Sequence, residues 1–128
     1  MLGLDTSVVV RLLVGLPEAL AQRAQRRLER AVETGERVFV SDLVVAEAYF
    51  ALQQHYGVPK ARARALLKQF IESGVVEADP STVAADLAPA AGAGVVDRLV
   101  HSRYRALGAV TLTFERKQGA LEGAARLS

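Results

Sequence analysis

The 128-residue chain contains no cysteine and no tryptophan, and only one methionine and four prolines. Without cysteine, neither a disulfide framework nor a thiolate metal site is possible, which fits a reducing compartment. Aromatic residues make up 5% of the chain, too few for an extended base-stacking platform. No apolar run approaches the roughly 20 residues needed to span a bilayer, so no membrane role is expected. The N-terminus lacks the basic region, apolar segment and small-residue cleavage site of a signal peptide, and a cytoplasmic location is the expectation. A dominant charge is missing too: 16 basic and 14 acidic residues leave a net charge of +2. That mild excess permits a nucleic-acid partner without demanding one. There is no Gly-x-x-x-x-Gly-Lys loop, no nucleophile elbow and no metalloprotease histidine pair. The glycines of Ala91-Gly92-Ala93-Gly94 follow no nearby strand, which excludes a dinucleotide-binding turn.

What is present is a globular composition, 51% hydrophobic and 23% charged, in a length suited to one domain over residues 1–128. Met1 to Leu4 read as a short buried strand ending at Asp5, with Thr6 or Ser7 as helix N-cap and Val8 to Leu13 as the helix. Pro17 and Glu18 open a second helix that Gly35 ends. Its polar face carries Arg23, Arg26, Arg27 and Arg30, a solvated face in its simplest reading. Arg37 to Val40 read as a strand, and Ser41 and Asp42 cap a helix running to about Tyr56. Leu43, Ala46, Phe50 and Ala51 give that helix an expected apolar stripe, on which Glu47 falls. Pro59 starts a helix with Leu66, Leu67, Phe70 and Ile71 on its apolar side. Val75 to Ala78 predict a strand, Pro80 to Pro89 a helix, Val95 to Ala106 a helix, and Ala109 to Phe114 the clearest strand in the chain. Residues 116–120 read as a loop or short turn and 125–127 as a final edge strand. Strands alternating with helices predict a three-layer α/β/α sandwich around a central parallel sheet of about four to five strands.

Four of the 14 acids stand apart from plainly polar or turn surroundings. Asp5 and Glu115 follow strand ends, Asp97 lies in a helix's first turn within an apolar run, and Glu47 is expected on a buried helix face. In an open parallel sheet the carboxyl ends of the strands border the ligand crevice. Carboxylates crowded there cannot all stay ionised without a cation. Oxygen ligation with no cysteine suits Mg²⁺ or Mn²⁺, one or two ions, and the chemistry of such a site is hydrolysis of a phosphoester. His55 and His101, the two histidines, are not expected to be catalytic.

Leu4-Asp5-Thr6-Ser7, Ser41-Asp42-Leu43-Val44-Val45-Ala46-Glu47, Val96-Asp97-Arg98-Leu99 and Thr111-Leu112-Thr113-Phe114-Glu115-Arg116-Lys117 resemble, in order, the motifs of PIN domains. The likeness is closest to the toxin subunits of VapBC toxin–antitoxin modules. It implies a Mg²⁺- or Mn²⁺-dependent endoribonuclease, usually dimeric, held inactive by a small antitoxin whose tail fills the active-site groove. It implies catalytic, metal-binding carboxylates at Asp5, Glu47, Asp97 and Glu115. Thr6, Ser7, Thr113, Arg116 and Lys117 are then expected to support these acids or position the substrate. Two positions depart from the pattern: Glu115 stands where the family usually has aspartate, and Gly94 where many members carry a further acid. The competing readings are a PIN-like module that docks RNA or protein without cutting, and a small metal-dependent phosphatase.

Overall fold

The computed structural model describes residues 1–128. Strand β1 (Leu2–Gly3) feeds helix α1 (Thr6–Val14), which ends on Gly15 in the left-handed conformation (φ 78°). Helix α2 (Glu18–Glu33) returns to β2 (Val38–Ser41), and α3 (Asp42–Tyr56) leaves directly from that strand's carboxyl end. Then come α4 (Lys60–Ile71), β3 (Glu77–Asp79), the short α5 (Val83–Leu87) and α6 (Val95–Ala106). The chain closes with β4 (Thr111–Thr113), the single-turn helix α7 (Arg116–Gly119) and β5 (Ala124–Arg126).

This is the α/β/α arrangement expected from the alternation, and every strand pairing is parallel. The sheet is small and divided. β2 lies between β1 and β3, while β4 pairs only with β5. Five strands therefore form, but in a set of three and a set of two rather than around one continuous ladder. The length of β1 gives the reason. The Leu2 and Leu4 N–H groups both donate toward β2, to Arg37 and Phe39 carbonyls at 2.8 and 2.9 Å. Side chains and peptide groups alternate along a strand, so little more than Gly3 is left to build a ladder on the other edge. Three further elements are shorter than the pattern implies: β3 starts at Glu77 rather than Val75, α5 spans 83–87 rather than 80–89, and β4 spans 111–113 rather than 109–114.

The core is one cluster of 17 buried side chains, among them Val9, Val40, Val45, Leu52, Leu67, Val83, Leu87 and Leu99. α3 is central to it, packing against α1, α4 and α6. Its buried residues are Asp42, Val45, Ala48, Tyr49 and Leu52. The expected stripe through Leu43, Ala46, Glu47 and Phe50 is thus displaced by part of a turn. Leu43 and Phe50 are 70% and 47% exposed, and Glu47 is exposed with them. The i, i+3, i+4, i+7 spacing of Val45, Ala48, Tyr49 and Leu52 supplies the larger continuous apolar surface, and it fixes which face turns inward.

Two carboxylates fasten α6 to the rest. Asp42 is buried and accepts two hydrogen bonds from the Arg103 guanidinium, at 2.5 and 2.7 Å. These bonds hold its carboxyl below the usual range, against the opposing effect of burial. Asp86 lies with its two oxygens 2.9 and 2.7 Å from the Ser102 hydroxyl, and burial pushes its carboxyl up.

The segment after α6 is held differently. No residue beyond Leu99 belongs to the core cluster or to the partly buried hydrophobics packed on it. His101 makes the connection instead. Its Nε2 lies 2.8 Å from the Glu122 carbonyl and its Nδ1 2.6 Å from the Thr111 hydroxyl. A carbonyl only accepts, so Nε2 donates and Nδ1, in the uncharged ring, accepts from Thr111.

His101→Phe keeps a planar aromatic ring, slightly larger than imidazole, but orphans the Thr111 hydroxyl and the Glu122 carbonyl. A loss of about 2 kcal/mol or more is expected from urea denaturation. The two carboxylates have opposite pH signatures. The contribution of Asp42, whose folded pKa is lowered, is present above the ordinary carboxylate range and is lost as pH falls through the folded value. Asp42→Asn should therefore lower the urea midpoint at pH 7 and flatten its decline below about pH 4. Asp86, whose pKa is raised, contributes in the reverse sense, its ionised form being penalised. Asp86→Asn is expected to hold or raise the midpoint at pH 7.

Candidate active site

Asp5 occupies the N-cap position of α1, yet its carboxylate makes no capping bond to that helix. A purely capping role for Asp5 is thereby excluded. Its only side-chain hydrogen bond comes from the Ser7 hydroxyl, which donates to Oδ2 at 3.2 Å. Thr6, the first residue of α1, is buried beside it. Glu47 comes from α3, four residues before Ala51 and eight before His55. That spacing puts all three on one side of the helix, and with Asp5, Ser7 and Arg11 they line one open hollow of about 290 Å³. Glu47 therefore remains beside Asp5 for a reason other than the expected one. It is exposed toward the hollow, not buried in an apolar stripe, and no ion pair holds it.

Asp97 stands on the other side of α3. It lies in the first turn of α6 and lines a second hollow of about 250 Å³ with Tyr49, Phe50, Gln53, Lys60 and Gly94. The exposed edge of α3, formed by Leu43, Glu47 and Phe50, runs between the two hollows. Glu115 is the N-cap residue of α7 and likewise makes no side-chain capping bond. Its N–H donates to the Thr113 hydroxyl at 3.0 Å, so Thr113 fixes the turn from which Glu115 projects. Arg116 and Lys117, next in sequence, are exposed.

The four acids are thus brought to the same side of α3 only in part. Asp5 and Glu47 share a hollow, Asp97 borders the neighbouring one, and Glu115 stands on the separate β4–α7 turn. No group of three or more aspartate, glutamate, histidine or cysteine side chains is gathered closely enough to hold a metal by itself. None of the four acids is consumed by an ion pair, whereas Glu36, Asp42, Glu72 and Glu77 are.

The family model of the PIN domain matches residues 3–123. The chain belongs to the PIN domain family. No curated protein and no solved structure matches it. PIN domains are generally nucleases and typically work with divalent metal ions. The matched span takes in all four acids of this PIN domain together with β4 and α7, and stops just before β5.

Several residues around the acids carry no expected role in the sequence, and His55 is expected not to be catalytic. Arg11, His55 and Tyr56 line the Asp5 hollow. The 47, 51, 55 spacing is the signal that points to His55. Gln118 is another: it is buried, and its Nε2 donates to the Asp97 carbonyl at 3.0 Å. That bond ties α7, and with it the Glu115 turn, to the first turn of α6. No pattern in the sequence announces such a tie, because its partner is a backbone carbonyl. Gln118→Leu, of similar size, removes only this bond. It is expected to lower stability by about 1 kcal/mol, read from the denaturant midpoint.

Proposed function

We propose that this PIN domain is a Mg²⁺- or Mn²⁺-dependent endoribonuclease that cleaves RNA phosphodiester bonds, the toxin of a type II toxin–antitoxin pair. The observation that carries the reading is the pairing of Asp5 and Glu47 across one open hollow, both free of capping and ion-pair duties. The donor set fits the metal. Mg²⁺ commonly takes only one or two protein carboxylates and completes its shell with waters and substrate phosphate. Asp5 and Glu47 would be its protein ligands, with Asp97 and Glu115 acting through water or on a second ion. When bound, the ion activates a water and offsets the charge that develops on the phosphoryl group.

The protein's own groups do the positioning. The Ser7 hydroxyl orients the Asp5 carboxylate, and Thr6 anchors the start of α1 beneath it. Thr113 sets the turn that carries Glu115. Arg116 and Lys117 face solvent beside that turn and suit contacts with backbone phosphates, which fix register rather than sequence. In this reading a small antitoxin covers the groove, and two copies of the chain associate in the cytoplasm. Leu107, Val110, Leu112 and Phe114, 80%, 64%, 64% and 71% exposed, give the pair an apolar surface to share.

The absence of Asp97 and Glu115 from the lining of the Asp5 hollow favours one second reading, a PIN-like module that docks RNA or protein without cutting. Incubation with RNA and Mn²⁺, and in parallel with a chromogenic phosphomonoester, separates the readings. RNA cutting alone supports the nuclease, phosphomonoester turnover supports a small phosphatase, and neither supports the docking module.

Asp5→Asn is expected to abolish RNA cleavage while the circular dichroism spectrum and melting temperature stay as in the parent; cutting at the parent rate would remove Asp5 from the ligand set. Mn²⁺ should stabilise the apo-protein by about 2.7 kcal/mol at a hundredfold excess over Kd, read as a shifted melt. In single-turnover cleavage, Glu115→Ala should lose less rate than Asp5→Ala or Asp97→Ala, and Glu115→Asp should keep or gain rate. Glu115 has the longer side chain on a turn outside the core and is the least preorganised of the four.

A further inference from the structure

Apart from Asp97, the hollow on the α6 side of α3 has a lining that the metal chemistry does not use. We propose that it is a nucleotide subsite in which one unpaired base of a single-stranded RNA stacks on Phe50 while an adjoining phosphate meets Lys60. This rests on the nuclease reading and adds to it a place for the nucleotide beside the cut.

Phe50 keeps 47% of its surface exposed although it is the largest apolar group on the outer edge of α3. Its ring leans on that of the buried Tyr49, with centroids 5.8 Å apart and planes at 58°. A lone exposed apolar residue needs no explanation. Here, however, the ring borders a cavity of about 250 Å³ to which Lys60 and Gln53 bring groups complementary to a nucleotide. Lys60, the first residue of α4, is exposed and engaged in no salt bridge. The Gln53 amide gives its Nε2 to the Tyr49 carbonyl, which leaves its oxygen as an acceptor for a base edge. Gly94 adds no side chain, and a Cβ built there would meet nothing within 4 Å, so the floor is open.

Size and chemistry point the same way. About 250 Å³ is below the usual range for an enclosed drug-sized ligand, and the mouth is open. One base or one phosphate fits, with the rest of the strand outside. A ring offered from a protein surface recruits unstacked bases, and single-stranded RNA presents them where a duplex does not. The location is apt as well. Asp97 borders the same cavity, and Glu47 lies three residues before Phe50 on the same exposed edge, about one helical turn away. A strand crossing that edge would put a base on Phe50 and the next phosphate toward the acids.

The test is fluorescence anisotropy with a labelled single-stranded oligoribonucleotide and the duplex of the same sequence, in EDTA so that nothing is cut. A separate gel assay with Mn²⁺ reads cleavage. Phe50→Ala should weaken single-strand binding about tenfold and leave the duplex affinity and melting temperature unchanged, while Phe50→Trp should restore it. Placing abasic sites along the strand should find one position at which parent and Phe50→Ala bind alike. Lys60→Ala should reduce the slope of log Kd against log salt by about 0.7, the value for one phosphate on a single strand. If the parent binds single strands and Phe50→Ala binds them equally well, or weakens single strands and duplex alike, the subsite is overturned and the nuclease reading stands. If the parent neither binds nor cuts RNA, the nuclease reading falls and the subsite with it. If Phe50→Ala changes only the sedimentation of the protein, the edge is a protein interface and the proposal is wrong.

Discussion

The burial of Val45, Ala48, Tyr49 and Leu52 on one face of α3 is the constraint on which the rest of the molecule depends. Once that face is turned inward, Leu43, Glu47 and Phe50 have no choice but to face out. The helix becomes a ridge with an acid in the middle and an apolar side chain at either end. α1 and its preceding Asp5 lie along one flank, and the first turn of α6 with Asp97 lies along the other. Everything in the candidate active site is arranged relative to this edge. A one-step rotation of the helix would bury Glu47 and expose Val45, which the core cannot accommodate because the helix packs against α1, α4 and α6 together.

A second level of organisation concerns how α6 is connected on its two sides. Toward the core it is fixed by Leu99 and by the Asp42–Arg103 pair, a two-pronged contact whose acidic member is buried. Toward the C-terminus it relies on polar contacts: His101 with Thr111 and Glu122, and the Asp97 carbonyl with Gln118. Asp97 therefore sits at a junction. Its side chain borders a hollow while its main chain carries the tie to the turn that bears Glu115. Asp97 and Glu115 are related in space through these few bonds.

Much of this was legible in the chain itself. The strand and helix order came from apolar runs punctuated by Pro17, Gly35 and Pro59, and Asp5 at the end of β1 could be read from the run that precedes it. The phase of α3 was not legible. Leu43, Ala46 and Phe50 recur at helical spacing as convincingly as Val45, Ala48 and Leu52, and only the packing of three neighbouring helices decides between the two sets. For the same reason Asp42 looked like one more residue at a helix start, although it is the buried acid and Glu47 is not. Its partner Arg103 lies 61 residues away, a relation that no local pattern encodes. The division of the sheet followed from something equally local and easily missed, the two-residue length of β1. Gln118 matters through a contact made in the folded chain and left no mark on periodicity.

The absence of any core residue beyond Leu99 has a consequence for how this protein breathes. β4, α7 and β5 add no side chain to the buried apolar cluster, and a short set of hydrogen bonds ties them to α6. A unit of that kind opens in a sub-global fluctuation well before the whole chain unfolds. Asp5 and Glu47 are carried by elements of the slow, cooperative part of the molecule, and Glu115, Arg116 and Lys117 by the part that exchanges early. The two halves of the candidate site thus belong to different stability classes, with the seam between them at His101 and Gln118.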